Sequence, residues 1–210
     1  MQGDLTIVFF QVAILVFSVV LHELAHGYAA NYFGDPTARL AGRLTLNPIP
    51  HVDPFGSIIL PALMALLPGG VGFTFGWAKP VPYNPYNLKG GRFAEALVTG
   101  AGILTNLLLA IIFGLIIRFY GNALPDGFMA LAIYIVLINL VLALFNSLPI
   151  PPLDGSKVLS TFLPYQFRIF IDSVERYGFL ILIAFVFFGF QLLLPIISGL
   201  FYLIVGVKPF

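Results

Sequence analysis

Two histidines and a glutamate lie within five residues of each other in the first apolar stretch of the chain. The segment is HELAH, residues 22–26, and it has the pattern HExxH. Residues i and i+4 share one face of an α-helix, so both imidazoles can reach a single zinc ion. The glutamate between them can then take a proton from a zinc-activated water. The pattern therefore predicts hydrolytic zinc chemistry, with His22 and His26 as ligands and Glu23 as general base.

Ionisable side chains are rare in this chain, which makes their position informative. The sequence is 60% hydrophobic and 9% charged, whereas soluble domains are about 25% charged. This composition predicts an integral membrane protein, in which an ionisable residue inside a span indicates a function. The net charge of +1 gives no reason to expect a nucleic-acid partner. The absence of cysteine excludes disulfides, thiolate ligands and a cysteine nucleophile.

A catalytic zinc ion usually takes three protein ligands, so a third candidate is needed. Asp154 closes the segment FNSLPIPPLDG, residues 145–155, which follows an apolar run. Its prolines and glycine restrict the backbone and give the carboxylate a rigid support, so Asp154 is favoured. His51 and Asp53, in the segment IPHVDPFG, are the alternatives. Those two residues also suit a turn or a contact that orients a ligand.

Apolar runs in lipid must form helices, because every backbone polar group has to be paired internally. Four runs approach the roughly 20 residues that cross the hydrocarbon: Leu5–Phe33, Phe93–Tyr120, Phe128–Leu148 and Tyr177–Leu194. The run 196–207 is too short to cross alone and is expected to be a kinked continuation or an interfacial helix. The predicted fold is an all-α polytopic helix bundle of about four to six membrane segments, with short extended segments near the site. It forms one domain, residues 1–210, with a catalytic core at about 5–157 and C-terminal helices at 173–207.

The metal site constrains the topology. His22 lies near the far end of the first helix, and Asp154 lies just beyond the Phe128–Leu148 run. They can meet only if these two helices run in the same direction, which one crossing between them, Phe93–Tyr120, provides. The apolar run Phe55–Gly69 is short and is interrupted by proline, so it is predicted to be re-entrant.

The segment that follows, Gly72–Tyr86, is rich in glycine, proline and aromatic residues and is predicted to be extended. An edge strand in this segment could pair with an extended substrate peptide.

The distribution of positive charge predicts the orientation of the chain. With Phe55–Gly69 re-entrant, one face carries most of the lysines and arginines, and the other face carries only Arg118 and Lys208. The positive-inside rule then predicts a multi-pass protein of the cell membrane with its active site toward the cytoplasmic side. The residues on the cytoplasmic face are Arg39, Arg43, Lys79, Lys89, Arg92, Lys157, Arg168 and Arg176.

The segments HELAH, GILTN (102–106) and FNSLPIPPLDG together resemble the site-2 protease family of intramembrane zinc metalloproteases. The likeness is to the small prokaryotic branch that has neither PDZ nor CBS domains. The segments NPIPHVDPFGS (47–57) and GWAKPVPYNP (76–85) are also similar, and the likeness covers about residues 19–157. The resemblance implies that His22, His26 and Asp154 bind one zinc ion and that Glu23 is the catalytic base.

Three asparagines complete the set of polar candidates. Asn146 matches the asparagine that opens the family's proline-rich motif, which implies that it holds a substrate carbonyl or stabilises the oxyanion. Asn106 remains in its motif although Ile103 replaces the family's proline; it could bind substrate backbone or make an interhelical hydrogen bond. Asn139 lies on the same helix face as Asn146 and is given no catalytic role.

These observations predict an intramembrane zinc metalloendopeptidase that cleaves peptide bonds in or near transmembrane segments of membrane proteins. Its expected partners are a transmembrane protein or peptide substrate and membrane lipid. The alternatives are a membrane metal-binding or transport protein and a catalytically silent relative that binds transmembrane segments. Transporters often contain paired half-repeats, whereas here the polar residues converge on one site. A catalytically silent relative that only binds transmembrane segments would not need Glu23 as a general base.

Overall fold

The computed structural model describes residues 2–59 and 77–207 of the chain. In the described residues the regular structure is helical and no strand occurs. The helices are α1 (Gln2–Tyr32), α2 (Thr37–Leu40), α3 (Gly91–Tyr120), α4 (Asp126–Asn146), α5 (Asp154–Phe162), α6 (Tyr165–Ala184) and α7 (Leu194–Val205). Single 3-10 or π turns lie between them at Ile49–His51, Pro54–Ile59, Pro85–Asn87, Gly121–Ala123, Phe185–Gly189 and Phe190–Leu192.

Four helical stretches of the described chain are long and apolar enough to cross a membrane. They are Thr6–Tyr32, Gly91–Ala123, Asp126–Asn146 and Ser173–Leu192. The prediction of an all-α polytopic membrane protein is therefore confirmed. The fourth predicted run differs at its start, since α6 begins at Tyr165 and not at Tyr177. The first part of α6 carries polar residues on one face, so it does not stand out as an apolar run.

Helices α1 and α3 pack through rows of buried residues spaced four apart. The row on α1 is Ser18, His22, His26 and Ala30, and the row on α3 is Ala94, Val98, Gly102, Asn106 and Ala110. His26 contacts Val98, whereas His22 contacts Asn106 further along α3. The two helices are therefore antiparallel. The small residues in both rows let the backbones approach closely.

Helix α4 runs in the same direction as α1. Asn139, within α4, hydrogen-bonds to Ser18, early in the buried row of α1. Asp154, just beyond α4, contacts His22 and His26, later in that row. This is the direction that the predicted meeting of His22 and Asp154 requires. Asp154 lies at the first position of α5, a short helix that the sequence analysis did not predict.

Helix α7 packs in the core of the bundle against α3 and α4. Its Ile197, Phe201 and Val205 are buried against a cluster that includes Ala110 and Val136. The guanidinium of Arg118 donates to the carbonyl of Leu203 at 2.8 Å, close to the C-terminus of α7. A cation at this end of a helix is favourable because the last carbonyls lack intrahelical partners. The predicted run 196–207 corresponds to this helix of 12 residues, which a single residue separates from the turn Phe190–Leu192.

Residues 56 and 57 lie in contact with residue 77, which is 20 positions beyond residue 57 along the chain. The Trp77 amide donates to the carbonyl of Gly56 at 3.2 Å, and the Ser57 hydroxyl donates to the carbonyl of Trp77 at 2.8 Å. These two hydrogen bonds join the turn that begins at Pro54 to the start of the segment that precedes α3. Residues 60–69 of the predicted re-entrant segment Phe55–Gly69 lie outside the described residues.

Asp35 joins the end of α1 to the loop that precedes α3. It is fully buried and accepts hydrogen bonds from Thr37, from the Asn84 amide at 2.6 Å and from the Asn87 side chain at 2.9 Å. Burial alone would raise the pKa of Asp35, but these hydrogen bonds outweigh burial and lower its pKa below the ordinary value. The contacts of Asp35 thus hold the end of α1 against the loop that precedes α3.

Candidate metal centre

Three predicted ligand atoms meet at one point between α1, α3 and the start of α5. The Nε2 atoms of His22 and His26 are 3.1 Å apart. Asp154 Oδ2 lies 3.0 Å from Nε2 of His22 and 3.2 Å from Nε2 of His26. Both histidines are buried, and the Asp154 side chain is 14% exposed. Among the described residues, these three form the group that could hold a metal ion.

The outer nitrogen of each imidazole has a partner that can only accept a hydrogen bond. His26 Nδ1 lies 2.7 Å from the carbonyl oxygen of Val98, and His22 Nδ1 lies 2.6 Å from Oδ1 of Asn106. Each Nδ1 therefore carries the proton and donates it. In a neutral imidazole the Nε2 atom then bears a lone pair. Both lone pairs face Asp154, which is the ring orientation that a metal-binding histidine adopts.

The spacing of the three atoms fits zinc. Zinc binds nitrogen and oxygen at about 2.0–2.2 Å in a tetrahedral arrangement, which places neighbouring ligand atoms roughly 3.3 Å apart. The observed separations of 3.0–3.2 Å are close to that value. Two imidazole lone pairs and a carboxylate oxygen thus form a donor set for one divalent cation.

Two glycines allow the three ligands to approach. A Cβ atom on Gly102 would lie 2.5 Å from Nε2 of both His22 and His26, closer than real contacts allow. A Cβ atom on Gly155, next to Asp154, would collide with the backbone carbonyls of Ser147 and Leu148. Gly155 was expected to help support Asp154, whereas Gly102 was quoted within its motif without a role. The signal for Gly102 is its position four residues before Asn106, on the face of α3 that packs against α1.

Glu23 is held by the segment that precedes α3. Its Oε2 accepts a hydrogen bond from the Val81 amide at 2.7 Å. Residues 77–83, which we call the strap, have prolines at positions 80 and 82, so Val81 supplies the amide that lies between them. This hydrogen bond occupies Oε2, so Oε1 is the oxygen of Glu23 that does not contact Val81. The sequence analysis did not predict this contact.

The strap is itself fixed at several points. The buried guanidinium of Arg43 donates to the carbonyls of Lys79 at 2.7 Å and Pro80 at 3.3 Å. The Lys79 amide donates to the carbonyl of His51 at 2.8 Å. In the described part of the predicted extended segment Gly72–Tyr86, the amides of Trp77, Lys79 and Val81 therefore donate within the protein. Residues 72–76, which include the rest of the proposed peptide-pairing edge, lie outside the described residues.

The alternative ligands lie away from the cluster. His51 is buried and contacts the carbonyl of Thr45 through Nε2 at 3.0 Å. Asp53 accepts from the Gly56 amide at 2.6 Å and stabilises the turn that begins at Pro54. Asn146 lies at the end of α4 and donates to the carbonyl of Leu142 at 2.9 Å. The structure thus brings His22, His26 and Asp154 together and leaves His51 and Asp53 in turn contacts.

The fold is that of a multi-pass membrane protein, and two histidines on its first spanning helix form, with Asp154, a group that could hold a metal ion. Comparisons with known proteins agree with this class. The family model Peptidase family M50 matches residues 114–189, a range that includes Asp154. No solved structure matches the chain.

The curated relatives are named as zinc metalloproteases. "Putative zinc metalloprotease YwhC" of Bacillus subtilis (strain 168) is 43% identical over 178 residues, covering 81% of this chain and 76% of the relative. "Putative zinc metalloprotease Rip2" of Mycolicibacterium smegmatis is 30% identical over 167 residues, covering 80% and 62%. The protein of that name from Mycobacterium tuberculosis (strain H37Rv) is 28% identical over 185 residues, covering 88% and 67%. The chain belongs to peptidase family M50, the site-2 protease family, and is a zinc metalloprotease.

Proposed function

We propose that the protein is an intramembrane endopeptidase that uses one zinc ion, bound by His22, His26 and Asp154. Its substrates are peptide bonds in or near transmembrane segments of membrane proteins. The observation that carries the proposal is the convergence of two Nε2 atoms and one carboxylate oxygen within 3.2 Å of each other. Both histidines lie on a helix that is long and apolar enough to span the membrane.

Zinc bound at this site supplies Lewis acidity, which activates water and polarises the scissile carbonyl. Glu23 acts as general base: it takes a proton from the attacking water as the water oxygen bonds to the carbonyl carbon. Glu23 then gives that proton to the amide nitrogen as the C–N bond breaks, which leaves a carboxylate and an amine. The hydrogen bond from the Val81 amide to Oε2 orients this carboxylate and leaves Oε1 to carry the proton.

The two asparagine candidates have different surroundings. Asn106 is fully buried, and its amide contacts His22, Asn139 and Ser18. These contacts support the interhelical role for Asn106 over a substrate contact. Asn146 is partly exposed at the end of α4. We propose that Asn146 contacts the substrate carbonyl or the oxyanion, as the resemblance implies.

A transmembrane substrate must present its peptide bond in an extended form, because a helix hides each amide within its own hydrogen bonds. The partner is thus a membrane protein or peptide segment that unwinds locally, in contact with lipid. We place the active site toward the cytoplasmic side of the cell membrane on the basis of the positive-inside rule. The chain has no cysteine, so a single cysteine at Pro36 should react with a membrane-impermeant thiol reagent only from the cytoplasmic side. Reaction from the opposite side would overturn this orientation.

Removal of metal tests the enzymatic proposal. Purified protein in liposomes should cleave a single-span reporter peptide, and a zinc chelator should abolish cleavage. Adding back zinc should restore the initial rate, because the donor set needs a cation to be catalytically competent. Cleavage that continues at the same rate in protein shown to be free of metal would contradict a zinc mechanism.

A further inference from the structure

A ring of buried polar groups lies behind His22 and joins α1, α3 and α4. Oδ1 of Asn106 accepts from His22, and Nδ2 of Asn106 donates to Oδ1 of Asn139 at 2.8 Å. Nδ2 of Asn139 donates to the Ser18 hydroxyl at 3.0 Å and to the carbonyl of Ile135 at 2.9 Å. The side chain of Asn106 also lies 3.4 Å from the carbonyl of Ser18, which closes the ring. Asn106 and Asn139 are both 0% exposed.

The direction of every hydrogen bond in this ring follows from one backbone carbonyl. The carbonyl of Ile135 can only accept, so the nitrogen of the Asn139 amide must face it. Oδ1 of Asn139 then faces Asn106 and requires the nitrogen of that amide. Oδ1 of Asn106 is left to face His22, and it can only accept a proton from Nδ1. The proton of His22 is thereby placed on Nδ1, and Nε2 keeps its lone pair.

We propose that Asn139 is a positioning residue that fixes the tautomer of His22 by preventing the Asn106 side chain from flipping. This inference rests on the proposed role of His22 as a zinc ligand. If Asn106 flipped, its oxygen would face two acceptors, Oδ1 of Asn139 and the Ser18 carbonyl. Its nitrogen would face His22 and donate to Nδ1, so the proton of the imidazole would move to Nε2. A protonated Nε2 cannot bind zinc.

Two substitutions of Asn139 distinguish a role in fixing the His22 tautomer from a role in helix packing. Asn139→Leu has similar size but removes the acceptor that holds Asn106, so the flip becomes possible. Asn139→Asp keeps an oxygen facing Asn106 and loses the donor to Ile135. A packing role predicts that leucine is tolerated better than aspartate in an apolar bundle. The tautomer role predicts the opposite order of zinc affinity.

The expected result is measured as zinc affinity in detergent, by competition with a chelator of known affinity. Asn139→Leu should bind zinc about 10–100-fold more weakly than wild type, the usual effect of losing a partner that orients a metal-binding histidine. Asn139→Asp should remain within a few-fold of wild type. Wild-type affinity in the leucine variant, or equal losses in both variants, would overturn the proposal. A thermal unfolding curve for each variant verifies that it is folded.

A spectroscopic measurement tests the same proposal on the wild-type protein. The chain has 3 histidines, so ¹⁵N-histidine labelling gives few imidazole signals. In zinc-free protein at mildly alkaline pH, where imidazole is neutral, the two rings that respond to added zinc should both carry the proton on Nδ1. An Nε2 proton on the ring assigned to His22 would overturn the proposal even if both variants failed to fold. Wild-type protein that bound no zinc would instead contradict the proposed function itself.

Discussion

Replacing Glu23 with glutamine is expected to abolish peptide cleavage while zinc remains bound. Glutamine has the shape of glutamate but cannot accept the proton of the attacking water, and general base catalysis contributes about 10²–10⁴-fold to a rate. The side-chain oxygen can still accept the hydrogen bond from the Val81 amide, so the strap should keep its position. Glu23 lies outside the group formed by His22, His26 and Asp154, so metal content should not change.

The measurement is the cleavage rate of a single-span reporter peptide in liposomes, together with zinc content per chain. Glu175→Gln is a matched control, because it makes the same chemical change at an exposed position of α6. The control should cleave at the wild-type rate. A Glu23→Gln variant that retained most of the wild-type rate would exclude Glu23 as the base. If the Glu23→Gln variant lost its zinc, Glu23 would instead have a structural role in holding the metal site together.

Replacing Gly102 with alanine is expected to weaken zinc binding strongly. The new methyl group would lie 2.5 Å from the Nε2 atoms of both His22 and His26. The rings cannot move aside without breaking the hydrogen bonds from His22 to Asn106 and from His26 to Val98. Loss of one such orienting partner weakens metal binding about 10–100-fold. Displacement of both ligands should therefore weaken zinc binding by more than about 100-fold.

Gly100→Ala provides the matched control on the same helix. A Cβ atom there meets Val158 at 3.8 Å, an ordinary contact, so this variant should bind zinc as wild type does. Alanine also has a higher helix propensity than glycine, so neither variant should weaken α3 itself. The comparison is made by chelator competition and by thermal unfolding. Undiminished zinc affinity in Gly102→Ala would show that the two imidazoles do not need this close approach.

Features that depend on local spacing could be predicted from the sequence. The pairing of His22 and His26 follows from helical periodicity, and the spans follow from the length of apolar runs. Asp154 was favoured over His51 and Asp53 because it follows an apolar run and its neighbouring prolines and glycine give the carboxylate a rigid support. The structure brings Asp154 to both histidines, and the shared direction of α1 and α4 is the one that this meeting requires.

Contacts between residues far apart in the sequence could not be predicted from periodicity or from the length of apolar runs. The hydrogen bond from Val81 to Glu23 and the ring through Asn139 join residues that are 58 and 121 positions apart. No periodic pattern specifies which side chains meet across packed helices. Asn139 was given no catalytic role, and the space requirement at Gly102 is visible only once α1 and α3 are placed together. Helix α5 was missed because the prolines and glycine near Asp154 favoured a loop.

The central claim is that one zinc ion is held by His22, His26 and Asp154. The most direct test is an anomalous difference map, recorded at the zinc absorption edge from crystals of the zinc-loaded protein. The account predicts one strong peak per chain, within about 2.0–2.2 Å of both Nε2 atoms and of a carboxylate oxygen of Asp154. A zinc peak elsewhere in the chain, or one that Asp154 does not touch, would contradict it.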